Sequence, residues 1–98
     1  VGIEPIAAGV PGKFSLHQNY PNPFNPVTKI KFDIAKNSNV KLIIYDVTGR
    51  EVLKITDAYM TAGSYSYQWN ASAFASGIYF YKLETESYSD IKKMILVK

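Results

Sequence analysis

Short runs in which apolar and polar residues alternate constrain the fold of this chain more than any other feature. The clearest run alternates apolar with charged side chains: Lys29, Ile30, Lys31, Phe32, Asp33 and Ile34. Seven runs with strand-like patterns are separated by turn residues, and they cover residues 14–19, 27–34, 40–46, 51–57, 64–70, 77–86 and 90–97. Successive side chains on a strand point to opposite faces, so this pattern predicts strands that bury one side. Seven short strands at this spacing predict an all-β sandwich or a small barrel.

The aromatic content favours the same fold class. Eight Tyr, five Phe and one Trp occur among 98 residues, and aromatic side chains fit the pleated, half-buried surface of a sheet. No segment holds a helical period for about ten residues, although residues 71–76 have the length of a single turn. We therefore expect one core lined by the alternating apolar side chains, among them Ile30, Phe32, Leu42 and Ile44.

The chain has room for one domain preceded by a short tail. Residues 1–13 contain Ala, Gly and Pro without periodicity, which predicts a linker to an upstream domain, and residues 14–98 are the predicted globular domain. Gly49 stands between two predicted strands, where a positive φ would close a hairpin. Residues 94–97 form a continuous apolar run near the end of the chain, so we expect both faces of the last strand to be covered.

The composition argues against several classes of function. There is no Cys, which excludes disulfides and thiolate chemistry, and His17 is the only histidine. The eight acidic residues show no paired spacing, so we expect no enzyme activity, no cofactor and no metal site. The net charge of +3 comes mostly from lysines spread along the chain. That spread favours solvated strand faces over a glycan or lipid headgroup, and it argues against nucleic acid. No apolar stretch reaches the about 20 residues that span a bilayer.

The most informative stretch is residues 19–26, which hold three prolines. Each proline removes a backbone donor and restricts φ, and the residue before it is pushed to extended conformations. The segment is therefore predicted to be a rigid, extended crossover between sheets, with Tyr20 and Phe24 anchoring it to the core. A recognition surface made of the same residues is the alternative interpretation.

The fifth predicted strand places three aromatic rings on one face: Tyr65, Tyr67 and Trp69. We expect these rings in the core, because a domain of this size needs them there. An exposed ladder of rings for glycan stacking is the alternative.

Five motifs follow one another in a specific order. They are residues 16–26 (LHQNYPNPFNP), 44–52 (IYDVTGREV), 62–65 (AGSY), 76–83 (SGIYFYKL) and 92–98 (KKMILVK). Together they resemble the type A C-terminal sorting domain of the type IX secretion system, and the resemblance covers residues 14–98. It implies a seven-stranded, immunoglobulin-like β-sandwich. Such domains end cargo proteins of Bacteroidota-related bacteria and direct the cargo from the periplasm across the outer membrane.

The resemblance also implies partners and recognition residues. A translocon and a sortase-like peptidase act on such domains, the cargo is released or joined to lipopolysaccharide at the cell surface, and removal would fall within residues 1–13. Carried over by motif, the translocon would recognise Asn19, Tyr20, Pro21, Asn22, Pro23, Phe24, Gly77, Tyr79, Lys92, Lys93, Met94, Ile95, Leu96, Val97 and Lys98. Because a terminal strand is suited to capture by strand addition, we hypothesise that the last strand and the crossover form one composite docking surface. We expect a monomer.

Two other functions compete with sorting. A structural module resembling the immunoglobulin-like domain of flagellar hook-capping proteins predicts assembly partners and no cleavage. A carbohydrate-binding or spacer module of a secreted enzyme predicts an exposed aromatic platform on one sheet.

Overall fold

Two four-stranded antiparallel sheets form the part of the chain that the structure describes. The computed structural model describes residues 2–6 and 9–98. Its strands are β1 Glu4–Ile6, β2 Ser15–Leu16, β3 Val27–Ile34, β4 Ser38–Asp46, β5 Glu51–Met60, β6 Gly63–Asn70, β7 Gly77–Glu84 and β8 Ser89–Leu96. One sheet has the order β1-β6-β3-β2 and the other β5-β4-β7-β8. The sheets pack face to face around a shared core, which confirms the predicted all-β, immunoglobulin-like sandwich.

The core lies between the sheets and contains the side chains that the alternation placed there. Ile30 and Phe32 from β3, and Leu42 and Ile44 from β4, each have an exposed fraction of 0%. Full burial of one such side chain contributes about 1.5–3 kcal/mol to folding. The period-two pattern therefore predicted the correct inward face of both central strands.

Residues 4–6 form a strand although they lie in the segment predicted as a linker. β1 pairs antiparallel with β6, and Pro5 stands opposite Tyr65. All three side chains of β1 are exposed, so its backbone pairing is not accompanied by an apolar pattern. About seven strands were expected and eight are observed, and β1 is the additional strand. The assignment of residues 1–13 as a linker stays a prediction, and its residues Val1, Ala7 and Ala8 lie outside the described part.

The hairpin between β4 and β5 turns at Gly49, as predicted. Gly49 has a φ of 88°, in the left-handed region that favours glycine. The side chain of Asp46 closes the turn, because its Oδ1 accepts hydrogen bonds from the backbone N–H groups of Thr48 (2.9 Å) and Arg50 (3.1 Å). A hydrogen bond from the Thr48 hydroxyl is the main reason why the pKa of Asp46 lies below its usual value. The turn therefore combines a left-handed glycine with an aspartate cap.

Candidate functional site

The residues carried over as recognition elements come from three segments, and the fold brings all three together. Residues 19–24 form the crossover between β2 and β3. Gly77 and Tyr79 begin β7, where they pair with Leu96 and Met94 of β8. The crossover runs along the other side of β8, where Phe24 forms a parallel bridge with Leu96. The end of β8 is thus flanked by β7 on one side and by the crossover on the other.

Hydrogen bonds join the crossover to the outer edge of β8. The N–H of Phe24 donates to the carbonyl oxygen of Ile95 (2.9 Å), and the N–H of Val97 donates to the carbonyl oxygen of Phe24 (2.9 Å). The N–H of Ile95 donates to Oδ1 of Asn22 (3.0 Å). Nε2 of Gln18 donates to the carbonyl oxygen of Lys93 (2.8 Å). Four backbone groups between residues 93 and 97 are therefore occupied from within the domain.

This geometry bears on both parts of the docking hypothesis. The crossover and the last strand are adjacent, as a composite surface requires. Strand addition is a different matter, because it needs unpaired backbone groups along an edge. Over residues 93–97 the structure does not favour strand addition, since an incoming strand would have to displace Asn22 and Phe24 first, and strand addition stays a prediction.

Asn19 and Phe24 hold the crossover against the core. Both are 2% exposed, and the Phe24 ring packs on Trp69 with a centroid separation of 5.8 Å. Tyr20, by contrast, is 81% exposed, so the prediction that it anchors the crossover is wrong. Its backbone N–H and carbonyl pair with Lys29, and its ring faces solvent. Sequence reasoning missed Asn19 as the second anchor.

Asn19 is the centre of a buried polar network. Its backbone N–H donates to the hydroxyl of Tyr81 (2.7 Å), which in turn donates to the carbonyl oxygen of His17 (2.7 Å). Its Nδ2 donates to Oγ1 of Thr28 (3.0 Å) and to the carbonyl oxygen of Pro21 (3.2 Å). Burial raises the pKa of Tyr81 to about 12. These bonds fix the backbone on both sides of Tyr20.

Gly77 and Tyr79 have structural roles at the start of β7. Gly77 has a φ of 149°, and no atom lies within 4 Å of where its Cβ would be, so backbone conformation is what favours glycine here. Tyr79 is buried, and its hydroxyl donates to the carbonyl oxygen of Ala75 (2.7 Å). Its ring meets Trp69 edge to face at 5.6 Å. These two residues shape the strand that supports β8.

The last strand buries only one of its faces. Met94 and Leu96 are 0% and 1% exposed, whereas Ile91 and Val97 are 52% and 48% exposed. The expectation that both faces are covered is therefore wrong, because β8 lies at the surface of a two-layer sandwich and only its inward face meets the other sheet. Nζ of Lys98 donates to the carbonyl oxygens of Ser72 and Phe74, both at 2.7 Å. That contact, which the sequence did not reveal, ties the terminal side chain to the loop before β7.

The aromatic face of β6 is not a glycan platform. Trp69 is 2% exposed and packs against Phe24, Phe74 and Tyr79. Tyr65 and Tyr67 are half-buried and pack against the core. The rings of this face therefore serve the core, as expected, and the ladder required by the carbohydrate-binding alternative is absent.

Ser15, His17 and Asp33 lie together, but their geometry is not that of a catalytic relay. Oγ of Ser15 and Oδ2 of Asp33 both lie against Nε2 of His17, at 3.2 and 3.0 Å. A relay needs its two partners on different ring nitrogens. Burial alone would raise the pKa of Asp33, but hydrogen bonds with His17, Ser64 and Ser15 outweigh burial and hold the pKa below its usual value. The cluster is a surface hydrogen-bond network between β2 and β3.

The described ranges, 2–6 and 9–98, contain neither a cluster of metal-ligating side chains nor a membrane-spanning helix. No group of three or more metal-ligating side chains occurs there. None of the secondary structure in those ranges is a helix long and apolar enough to cross a membrane.

Fold and contacts together define a small immunoglobulin-like module whose proline-rich crossover closes the edge of its last strand. A family model described as the secretion system C-terminal sorting domain matches residues 18–98, and the chain belongs to this family of the type IX secretion system. Membership supports a sorting-signal role and export to the cell surface or the medium. It also places the proline motif and the terminal strand inside the region that defines the family.

One solved structure is similar in fold. It is PorZ, an essential bacterial surface component of the type IX secretion system of Porphyromonas gingivalis, with 22% sequence identity and a TM-score of 0.60. The match covers 85% of this chain and 11% of the PorZ chain, and at this identity the likeness concerns the fold alone. Among curated proteins, no relative of significant similarity was found.

Proposed function

We propose that this chain directs an attached cargo protein from the periplasm across the outer membrane through the type IX translocon, without catalysing a reaction itself. The cargo is then released or anchored at the cell surface. Its partners in this role are the translocon, a sortase-like peptidase and the upstream cargo domain, and it acts as a monomer. The observation that carries the proposal is the joining of the crossover to the last strand, two segments that lie in the region matched by the family.

The contacts support recognition of the domain in its folded state. Residues 22–24 and 95–97 are about 70 positions apart in the sequence, yet Asn22 and Ile95 share a hydrogen bond of 3.0 Å. A surface made of both segments exists only when the sandwich has formed. A partner that contacts this surface therefore distinguishes folded cargo tails from unfolded ones.

The peptidase acts on residues 1–13 in this proposal. Val10 in this segment is 70% exposed, and residues 9–13 contain no strand. Cleavage there would leave residues 14–98, which contain seven of the eight strands, as a separate domain.

Export of a reporter fusion tests the proposal. The full chain is joined to the C-terminus of a reporter that carries its own signal peptide, and the exported fraction is compared between a host with the translocon and a host lacking it. We expect translocon-dependent export, and loss of export when Val97 and Lys98 are deleted. That deletion keeps Met94 and Leu96, so the purified domain should still show a cooperative melt. Equal export in both hosts, or normal export of the folded deletion variant, would contradict the proposal.

A further inference from the structure

The outward-facing side chains of β8 form a surface of their own. Because side chains alternate along a strand, the even-numbered Met94 and Leu96 enter the core, while the odd-numbered Ile91, and Val97 directly after the end of β8, are 52% and 48% exposed. Ile95, between them on the same face, is half-buried. Any partner that contacts side chains of β8 from outside therefore contacts the odd-numbered residues.

The neighbouring strand extends this surface with further apolar groups. Ile78 of β7 stands opposite Ile95, and Phe80 stands opposite Lys93. Ile78 is 39% exposed and Phe80 is half-buried. Beside them, an open depression of about 410 Å³ is lined by Tyr45, Phe80, Lys82 and Ile91 together with the turn after β4. Neighbouring exposed apolar side chains of this kind favour an interaction surface, whereas single scattered ones do not.

Two lysines are the charged groups within this surface, while beside it Glu84 follows Lys82 on the same side of β7 and Asp46, paired with Arg50, lines the depression. Lys82 stands opposite Ile91, and Lys93 opposite Phe80. Among the described residues the ion pairs are His17–Asp33, Arg50–Asp46, Lys54–Asp57 and Lys92–Asp90, so neither of the two lysines pairs with a carboxylate there. A partner that covers the surface without supplying carboxylates would leave both ammonium groups desolvated and unpaired, which is costly. Charge complementarity therefore selects an acidic partner surface.

The edge of β8 offers no alternative to this face over residues 93–97. Gln18 and the crossover already occupy the carbonyl of Lys93, both backbone groups of Ile95 and the N–H of Val97. Recognition of the terminal strand through backbone pairing would first require at least these hydrogen bonds to break.

On the basis of the proposed sorting function, we propose that the translocon reads the last strand by its outer face. In addition to the joined crossover and last strand of the proposed function, the translocon contacts a surface made of Ile78, Phe80, Lys82, Ile91, Lys93 and Ile95, and the partner is a protein surface with apolar side chains and carboxylates. Strand addition plays no part. Met94 and Leu96, which belong to the same terminal motif, contribute to export only by holding the fold.

Charge reversal on the two faces of the sandwich tests this inference in the reporter assay. Lys82→Glu/Lys93→Glu alters the outer face of the second sheet, and Lys31→Glu/Lys36→Glu makes the same change at exposed positions of β3 and of the loop after it as a matched control. We expect the first pair to lower export by at least about tenfold, as repulsion of about 1.4 kcal/mol or more requires, and the control to export normally. If the charge-reversed variant does not fold, Lys82→Ala/Lys93→Ala replaces it in the assay, and we expect it to lower export by a smaller factor.

A second set of variants separates the docking modes. Ile91→Asp should reduce export, whereas Met94→Leu, which keeps the core volume, should not. Asn22→Ala loosens the crossover from β8. Recognition by strand addition predicts that this variant is exported more efficiently, whereas recognition by the outer face predicts no increase in export.

Normal export of all folded outer-face variants, or a gain in export with Asn22→Ala, would overturn the inference alone. Failure of the unmodified fusion to depend on the translocon would overturn the proposed function as well. A dimer in solution that Ile91→Asp disperses would show instead that a second copy covers the face.

Discussion

At the scale of single residues, buried polar atoms decide how the crossover is held. The Tyr81 hydroxyl accepts a hydrogen bond from the Asn19 N–H and donates one to the His17 carbonyl. Burial of polar groups is tolerated only when their hydrogen bonds are made, and no buried side-chain nitrogen or oxygen in the described ranges lacks a partner. One hydroxyl from β7 thus supports the chain on both sides of Gln18.

Removing that hydroxyl tests its contribution to stability. Tyr81→Phe leaves the Asn19 N–H and the His17 carbonyl without their partner, so we expect the free energy of unfolding to fall by about 1–3 kcal/mol. Urea unfolding of the purified domain measures it. Tyr67→Phe is the control, because no hydrogen bond is made by the half-buried Tyr67 hydroxyl among the described residues. Equal stability of the two variants would show that the network contributes little.

The lowered pKa of Asp33 predicts how the stability of the domain changes in acid. Its folded pKa lies below the ordinary value of 3.8, so its stabilisation is complete above pH 3.8 and is lost as the pH falls through the lowered pKa. We therefore expect acidification in that range to destabilise the unmodified domain more steeply than Asp33→Asn, in urea melts at stepped pH. Parallel curves for the unmodified domain and Asp33→Asn would contradict this account.

At the scale of elements, the alternation of β3 and β4 was readable because a buried face and a solvent face impose period two on the sequence. The sequence of the crossover did not predict in the same way which of its side chains enter the core. Its prolines indicated extended backbone, yet both Tyr20 and Phe24 looked suited to anchor it, and only the structure shows that Phe24 enters the core and Tyr20 does not. The hydrogen bond between Asn22 and Ile95 could not be predicted either, because no local pattern connects residues so far apart.

Strand ends were harder to predict than strand interiors. β2 covers only Ser15–Leu16 within the predicted 14–19, and β5 continues to Met60, beyond the predicted end at residue 57. Both lie at sheet edges, where one side of the strand has no neighbour to impose a pattern, although the central strands β4 and β7 also differ from the predicted bounds by two residues at one end. Edge positions such as Tyr59, 64% exposed, therefore carry little information in their sequence.

The hairpin at Gly49 gives a prediction for one element. A branched side chain at a φ of 88° is strained, so Gly49→Val should destabilise the domain by about 1–2 kcal/mol. Gly12→Val is the control, because Gly12 has open space around it and no positive φ. Thermal melting of both variants measures the difference, and an unchanged melting temperature for Gly49→Val would refute the turn geometry.

The hydrogen bond that joins Asn22 to the edge of β8 can also be tested by a substitution. Asn22→Ala removes the acceptor of the Ile95 N–H, so we expect faster hydrogen exchange at that amide, with a local loss of about 0.5–1.5 kcal/mol. Asn25→Ala is the control, since the exposed Asn25 side chain makes no hydrogen bond among the described residues. Unchanged protection of the Ile95 amide would mean that Asn22 does not close this edge.

At the scale of the whole molecule, the sandwich converts two distant segments into one surface. The crossover leaves β2 of one sheet and reaches β8 of the other, so its position depends on both sheets being packed together. Exposed groups on this surface, notably Tyr20 and Val97, add little to the core. A partner that binds these two side chains therefore recognises the folded state through groups that contribute little to its stability.

Export of reporter fusions that carry Tyr20→Ser or Val97→Ser measures whether a partner recognises these exposed groups. Both side chains are exposed, at 81% and 48%, so the variants should melt like the unmodified domain. Surface substitutions of this kind usually change stability by less than about 0.5 kcal/mol. We predict that each folded variant is exported several-fold less efficiently than the unmodified fusion. Normal export of both would contradict the claim that the crossover and the last strand form the recognised surface.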